Sequence, residues 1–172
     1  MLSPKMQAAL NEQIKNELNS AYIYLGMAAY FENQSLPGFA HWMRIQCQEE
    51  LFHASKFFDF VYERDGAVEL FALDQPSVAY ESPLAAFQAA YKHEQFISGT
   101  INDLYALAME EKDFASRPLL HWFIEEQVEE EASAKEIVDQ LKLVSDSKMG
   151  LYMLDKQLAA RVFTPPAAEE AD

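Results

Sequence analysis

The sequence predicts an all-α protein: a four-helix bundle with one long crossover between its second and third helices, closed by a short fifth helix. Three observations carry this. Four long segments keep their apolar residues on one helical face. Glycine occurs only five times in 172 residues, and four of the seven prolines, Pro4, Pro37, Pro83 and Pro118, stand where those segments begin. The stretch from Gly66 to Glu81 is much longer than the other breaks between segments.

The elements follow in order. Ser3-Pro4 supplies an N-cap and a proline at the first helical position, and the first helix runs to about Asn33. Leu36-Pro37-Gly38 restarts the chain, and the second helix runs to about Asp65, with Gly66 expected to stop it. Ser82-Pro83 repeats the start signal for a third helix reaching about Lys112. Ser116 to Pro118 opens the fourth, which ends near Val144, and a short fifth is expected from Gly150 to Val162. Residues 164–172, TPPAAEEAD, lack apolar periodicity and are expected to form a disordered acidic tail, which leaves 1–163 as one domain.

Connection lengths set the topology. Short links make the first and second helices antiparallel neighbours, and likewise the third and fourth. A helix of about 28 residues is about 42 Å long, and about 16 extended residues reach roughly 50 Å. The long connection can therefore return along the bundle and leave helices two and three parallel.

The formal net charge is −15 and the charged residues are mostly acidic. Such a chain repels DNA and anionic membranes and attracts cations, although solubility is the plain reading of acidity alone. The single cysteine, Cys47, forms no internal disulfide and belongs to no CxxC pair; it reads as a small core residue. The first residues, MLSPKMQAALNEQ, contain no apolar signal core, and no run is long enough to span a membrane. The expectation is a soluble cytoplasmic protein without a cleaved leader.

The informative feature is what interrupts the apolar stripes. With Glu50 set at zero on the second helix, Phe39, Met43, Ala54, Phe57 and Val61 lie within about 40° of it, His53 about 60° to one side and Glu49 about 100° off. Glu17 is surrounded in the same way by Met6, Leu10, Ala21, Tyr24 and Ala28. Phe87, Ala90, Ile101, Tyr105 and Ala108 surround Glu94, and Leu119, Phe123, Ala134, Ile137 and Leu141 surround Glu130; Gln127 lies one ridge away and Glu126 also points inward. Each helix thus carries a mid-helix glutamate in its core stripe. The inward stripes hold no Lys or Arg to pair with them. An isolated buried carboxylate costs several kcal/mol or is forced to hold its proton. Two readings need no metal: glutamates protonated and bonded to one another, or one or two of them turned outward. A shared cation accounts for all four together.

Carboxylates, one imidazole and one amide are hard ligands that suit iron, manganese or magnesium and tolerate zinc. The number of carboxylates suggests two metals with bridging ligands. Di-iron bundles place Glu-x-x-His on two helices; here the second helix has Glu50-x-x-His53, whereas the fourth has Gln127-x-x-Glu130. The expected pair is asymmetric: one metal on Glu17, Glu50 and His53, the other on Glu50, Glu94 and Glu130 with Gln127 beside it. The sparser second position suits exchangeable binding, as of a substrate metal.

The motifs LNEQIKNELNSAYIY, QEELFHA, YKHEQFI, WFIEEQVEEEA and GLYMLDKQL, taken together, resemble the non-haem bacterial ferritins over nearly the whole chain. The resemblance implies the ferritin-like fold and a homo-oligomeric 24-subunit hollow cage. It implies Fe²⁺ oxidation by O₂ or H₂O₂ at a di-iron ferroxidase centre, with the ferric product stored as mineral inside. It assigns that centre to Glu17, Glu50, His53, Glu94, Gln127 and Glu130. A third iron site would use Glu49, Glu126, Glu129 and Glu130; without the resemblance, the run EEQVEEE reads equally as a solvated face. Tyr24 is implied as a hydrogen-bonding neighbour and one-electron donor, and a core tyrosine is an equal reading of its position. Trp122 is a further candidate donor. The haem-containing relatives carry Met directly after the bridging glutamate; here that residue is Leu51, and the second Glu-x-x-His is missing, so no haem is expected. His41, His93 and His121 are expected to be ordinary residues.

Three alternatives remain from the sequence. A rubrerythrin-like di-iron oxidase or peroxidase of small oligomeric size usually adds a cysteine-rich iron domain, for which this chain has no cysteines. A DNA-protecting mini-ferritin lacks the fifth helix. A metal-free helical interaction protein has to hold all four glutamates protonated.

Overall fold

The structure, a computed structural model, describes residues 2–144 and 146–164. Four long helices, α1 (Pro4–Asn33), α2 (Pro37–Glu63), α3 (Pro83–Glu110) and α4 (Arg117–Leu143), are followed by the short α5 (Lys148–Leu158). Most of the expected tail, residues 165–172, lies outside the described residues. Among the described residues no helix is long and apolar enough to cross a membrane.

Local chemistry explains most boundaries. Ser3 and Ser82 cap α1 and α3 through their hydroxyls, accepting from the backbone N–H of Met6 and Ala85 at 3.2 and 3.1 Å. Ser116 does not cap α4. Residues Phe114–Ser116 form a 3₁₀ turn instead, and the Ser116 hydroxyl donates to Asp113 Oδ2 at 2.7 Å. Gly66 is not the left-handed residue that ends α2: that role falls to Asp65 at φ 55°, while the Gly66 N–H donates back to Val61 O at 2.9 Å. Ser35 and Lys112 end α1 and α3 in the same conformation, at φ 58° and 56°. The fifth helix starts earlier than expected, because Ser147 caps it by accepting from Gly150 N–H at 3.0 Å, and it ends at Leu158 rather than Val162.

One end of the bundle establishes the topology. The start of α1, the ends of α2 and α3 and the start of α4 meet there. Leu2 N–H donates to Arg64 O at 3.4 Å, Lys5 Nζ to Glu110 Oε1 at 3.1 Å, and Arg64 Nη2 to Asp113 Oδ1 at 2.7 Å. Helices α2 and α3 therefore end together and run parallel, so the connection 64–82 has to travel the length of the bundle. It is held to α1 on the way. Asn11 Nδ2 donates to Ala67 O at 3.0 Å, its Oδ1 accepts from Glu69 N–H at 3.1 Å, and Tyr80 packs edge-on against Tyr30 at the far end. At Gly26 the crossover comes so close that a Cβ would stand 2.6 Å from Ser77 O.

The core has two apolar halves. Met6, Leu10, Ile14, Phe57, Ile97 and Phe123 fill the half nearer the α1 start. Met27, Phe31, Phe39, Met43, Phe87 and Leu141 are among those that fill the other. Phe57 and Phe123 stack at 4.1 Å between ring centroids, and burial of each stabilises the fold by about 1.5–3 kcal/mol. Glu17, Glu50, Glu94 and Glu130 sit where these halves meet.

Candidate metal centre

Each glutamate occupies the point in its helix where one apolar half gives way to the other. Glu17 lies between Ile14 and Ala21, Glu50 between Met43 and Phe57, Glu94 between Ala90 and Ile97, and Glu130 between Phe123 and Ala134. All four are buried, with Glu130 the most exposed at 5%. Helical repeat fixes this placement: each glutamate shares its helix face with buried residues on both sides, such as Ile14 and Ala21 for Glu17 or Phe123 and Ala134 for Glu130.

Among the described residues the side chains converge in two groups, neither of which includes Glu94. Donor atoms of Glu17, Glu50 and His53 lie within 4.8 Å of one another, and so do those of His53, Glu126 and Glu130. His53 Nδ1 is 3.4 Å from Glu50 Oε2. Tyr24 OH donates to Glu94 Oε1, and Gln127 Nε2 reaches Glu94 Oε2 and the Glu94 carbonyl, both at 3.3 Å. Gln13 Nε2 holds Glu17 Oε1 at 2.8 Å, but Glu17 Oε2 is buried with no hydrogen-bond partner. Gln46 Nε2 donates to Glu130 Oε2 at 2.6 Å and to Glu50 Oε1 at 3.5 Å.

Electrostatics follow from this geometry. Burial, and then the Glu50 charge, pushes the Glu17 carboxyl well above the ordinary range. Burial and then Glu94 do the same to Glu50; burial, then Glu94 and Glu50, to Glu130. Glu94 is also raised by burial, against the bonds from Tyr24 and Gln127 that favour its charge. The Tyr24 phenol is pushed well above its usual value by burial and then by Glu94. Without a cation, this layer keeps protons that carboxylates normally lose. An orphaned carboxylate oxygen within a set of hard donors fits a metal ion.

The remaining predicted residues divide. Glu126 is partly buried and joins His53 and Glu130, Glu129 is exposed, and Glu49 is drawn to Arg161 Nη2. Trp122 packs edge-on to His53 at 5.6 Å between ring centroids. His93 Nε2 lies 2.7 Å from Ser20 Oγ, and burial lowers its pKa to about 4, so it is neutral at physiological pH. His41 Nε2 bonds to Arg161 O at 2.8 Å and His121 is exposed. Cys47 is half-buried against the core, and burial raises its thiol pKa.

Sequence reasoning missed Gln13, Gln46 and Arg161. Gln13 and Gln46 each stand four residues before a buried glutamate, so the i,i+4 rule points to both as carboxylate partners. Arg161 had no signal, because its contacts depend on where α5 docks.

The sequence profile of the Ferritin family, described as a Ferritin-like domain, matches residues 7–144. The bacterial non-heme ferritin of Bacteroides fragilis is 40% identical over 161 residues, covering 94% of this chain and all of that one. That of Staphylococcus epidermidis is 37% identical over 163 residues, covering 95% and 98%. Among solved structures, the open pore ferritin of the hyperthermophilic archaeon Archaeoglobus fulgidus superposes with a TM-score of 0.93 at 51% identity, covering 94% of this chain and 99% of its own.

Proposed function

This chain belongs to the ferritin family, whose members store iron and have ferroxidase activity, and on that premise we propose which residues hold the iron while O₂ or H₂O₂ oxidises it. Glu17, Glu50 and His53 take one Fe²⁺; Glu50, Glu94 and Glu130, with Gln127 alongside, take the other. The observation that carries this reading is the buried layer of four carboxylates, one of whose oxygens, Glu17 Oε2, has no partner.

Fe²⁺ is the substrate, and two ions held together give up two electrons, which with two protons take O₂ to H₂O₂ or H₂O₂ to two waters, avoiding a one-electron step. The protein does the rest. Glu50, common to the two proposed sets, would serve both. The two apolar halves of the core exclude bulk water from the layer. Gln13 and Gln46 fix the carboxylate rotamers of Glu17, Glu50 and Glu130. The carboxyls surrender their protons as Fe²⁺ arrives and carry the negative charge that favours Fe³⁺ over Fe²⁺. Tyr24, bonded to Glu94, stands close enough to orient that ligand and to donate an electron.

The reading extends to a third iron position on Glu49, Glu126, Glu129 and Glu130, supported by the approach of His53, Glu126 and Glu130. It further takes residues 1–163 as the di-iron domain, a cage of 24 copies as the working assembly, and the cytoplasm as its location. To test it, metal-free protein is loaded with excess Fe²⁺ in air, passed through a sizing column and assayed for iron. Tens of irons per chain, in a peak near 470 kDa for 24 chains of 19.6 kDa, is the expected result. Two or three per chain in a small oligomer contradicts storage in a cage and favours a rubrerythrin-like oxidase.

A further inference from the structure

The segment after α5 folds back across the face of α2 beside the carboxylate layer. It is attached at three heights. His41 Nε2 bonds to the Arg161 carbonyl at 2.8 Å, and the Arg161 side chain reaches Gln46 and Glu49. Phe163 packs on Phe52 at 5.9 Å between ring centroids. These positions span about 16 Å of helix. The Arg161 guanidinium is well fixed. Nη1 donates to Gln46 Oε1 at 2.7 Å, Nη2 donates to Glu49 Oε2, and Cζ lies 4.2 Å from the Trp42 ring centroid. Only 20% of the Arg161 side chain and 13% of that of Glu49 remain accessible. A guanidinium held by a carboxylate, an amide and an indole is a strong, geometrically specific contact.

Gln46 links this contact to the carboxylate layer. Its carbonyl oxygen accepts from Arg161, while its NH₂ donates to Glu130 Oε2 and Glu50 Oε1. Metal at Glu50 and Glu130 competes for the oxygens that hold the Gln46 amide. Filling the pair therefore weakens the amide that anchors Arg161.

We propose that Arg161 is an internal cation that occupies Glu49 in the metal-free protein and has to leave before a third ion binds there, so that the third position fills only after the pair. The inference rests on the carboxylate-centre reading above. Arg161 is a positioning residue in this scheme: it controls the availability of Glu49 and touches no reacting atom. The ordering keeps incoming ions at the pair first and opens the acidic side of α2 and α4 once the pair is full.

The test is calorimetric titration of the intact, metal-free assembly with Zn²⁺, which binds hard donors without redox chemistry. In the parent, two ions per chain bind tightly and a third at least about tenfold more weakly. Arg161→Ala tightens the third ion about tenfold or more and leaves the first two in place. Arg161→Lys, which keeps the charge but loses the fork shared by Gln46 and Glu49, falls between the parent and Arg161→Ala, and Glu49→Gln added to Arg161→Ala removes the gain. Circular dichroism confirms that each variant is folded and column elution that it is assembled. A third ion equally tight in the parent and in Arg161→Ala overturns the proposal while leaving the pair intact. Absence of a tight pair in the parent overturns the carboxylate centre itself, and the proposal with it.

Discussion

Asp155 caps a helix to which it does not belong. Its Oδ1 accepts from the backbone N–H of Gly38 at 2.7 Å and of Phe39 at 3.2 Å, in the first turn of α2. The residue in the N-cap position, Leu36, has no side chain able to do this. The carboxylate also faces the positive end of the α2 dipole. Contact is so close that a Cβ at Gly38 would stand 1.7 Å from the Asp155 carbonyl oxygen.

Asp155→Ala is therefore expected to destabilise the protein by about 1–2 kcal/mol, the cost of a lost N-cap. Thermal unfolding at fixed protein concentration measures it. The loss should be accompanied by faster proteolysis at the α4–α5 connection, since α5 is held to the bundle mainly through α2. An unchanged midpoint would show that α5 docks by apolar packing alone.

Stability of the metal-free protein should fall as pH rises. Burial, the largest cause in each case, raises the carboxyl pKa of Glu17, Glu50, Glu94 and Glu130 in the fold, whereas the unfolded chain titrates near the ordinary glutamate value of about 4.3. Above that value the folded state binds more protons than the unfolded one, so stability declines through the window up to the raised folded pKa values. Zn²⁺ should reverse the trend, because its affinity rises as the ligands lose protons. Melting at pH 5.5 and pH 8, with and without Zn²⁺, checks both signs. Glu50→Gln should flatten the metal-free slope, and a slope indifferent to that change would locate its origin in surface charge instead.

Lys112 ends α3 at φ 56°, a conformation that costs a residue with a side chain about 1–2 kcal/mol and glycine almost nothing. Part of that gain is offset by the greater freedom of glycine in the unfolded chain. Lys112→Gly is expected to stabilise by about 0.5–1 kcal/mol, read as a higher denaturation midpoint with an unchanged denaturant slope. A lower midpoint would mean that Lys112 makes a stabilising contact stronger than its backbone strain.

Helix order, the crossover and the four inward glutamates are legible in the sequence because each depends on local periodicity. A glutamate that shares its helical stripe with apolar residues one and two turns away on either side, as Glu50 does with Met43, Ala54 and Phe57, faces the core whatever the tertiary detail. Helix ends are less legible, as Asp65 shows by taking the left-handed role beside an available glycine. Contacts made by α5 are not legible at all. Asp155 on Gly38 and Arg161 on Glu49 join residues more than 110 positions apart, and no periodic signal links such positions. Gln46 is legible in principle, since it stands four residues before Glu50 on the same face, but an amide carries no charge that demands a buried partner.

The most direct measurement is the initial rate of Fe²⁺ oxidation in air with two Fe²⁺ per chain, in the parent and in Glu50→Gln. Glu50 is the residue shared by both halves of the centre, and its replacement removes a carboxylate from a layer that holds protons without metal. The variant should therefore fold at least as well as the parent while oxidising Fe²⁺ about tenfold to a hundredfold more slowly. A variant that keeps the parental rate would contradict the assignment of this buried layer as the site of iron oxidation.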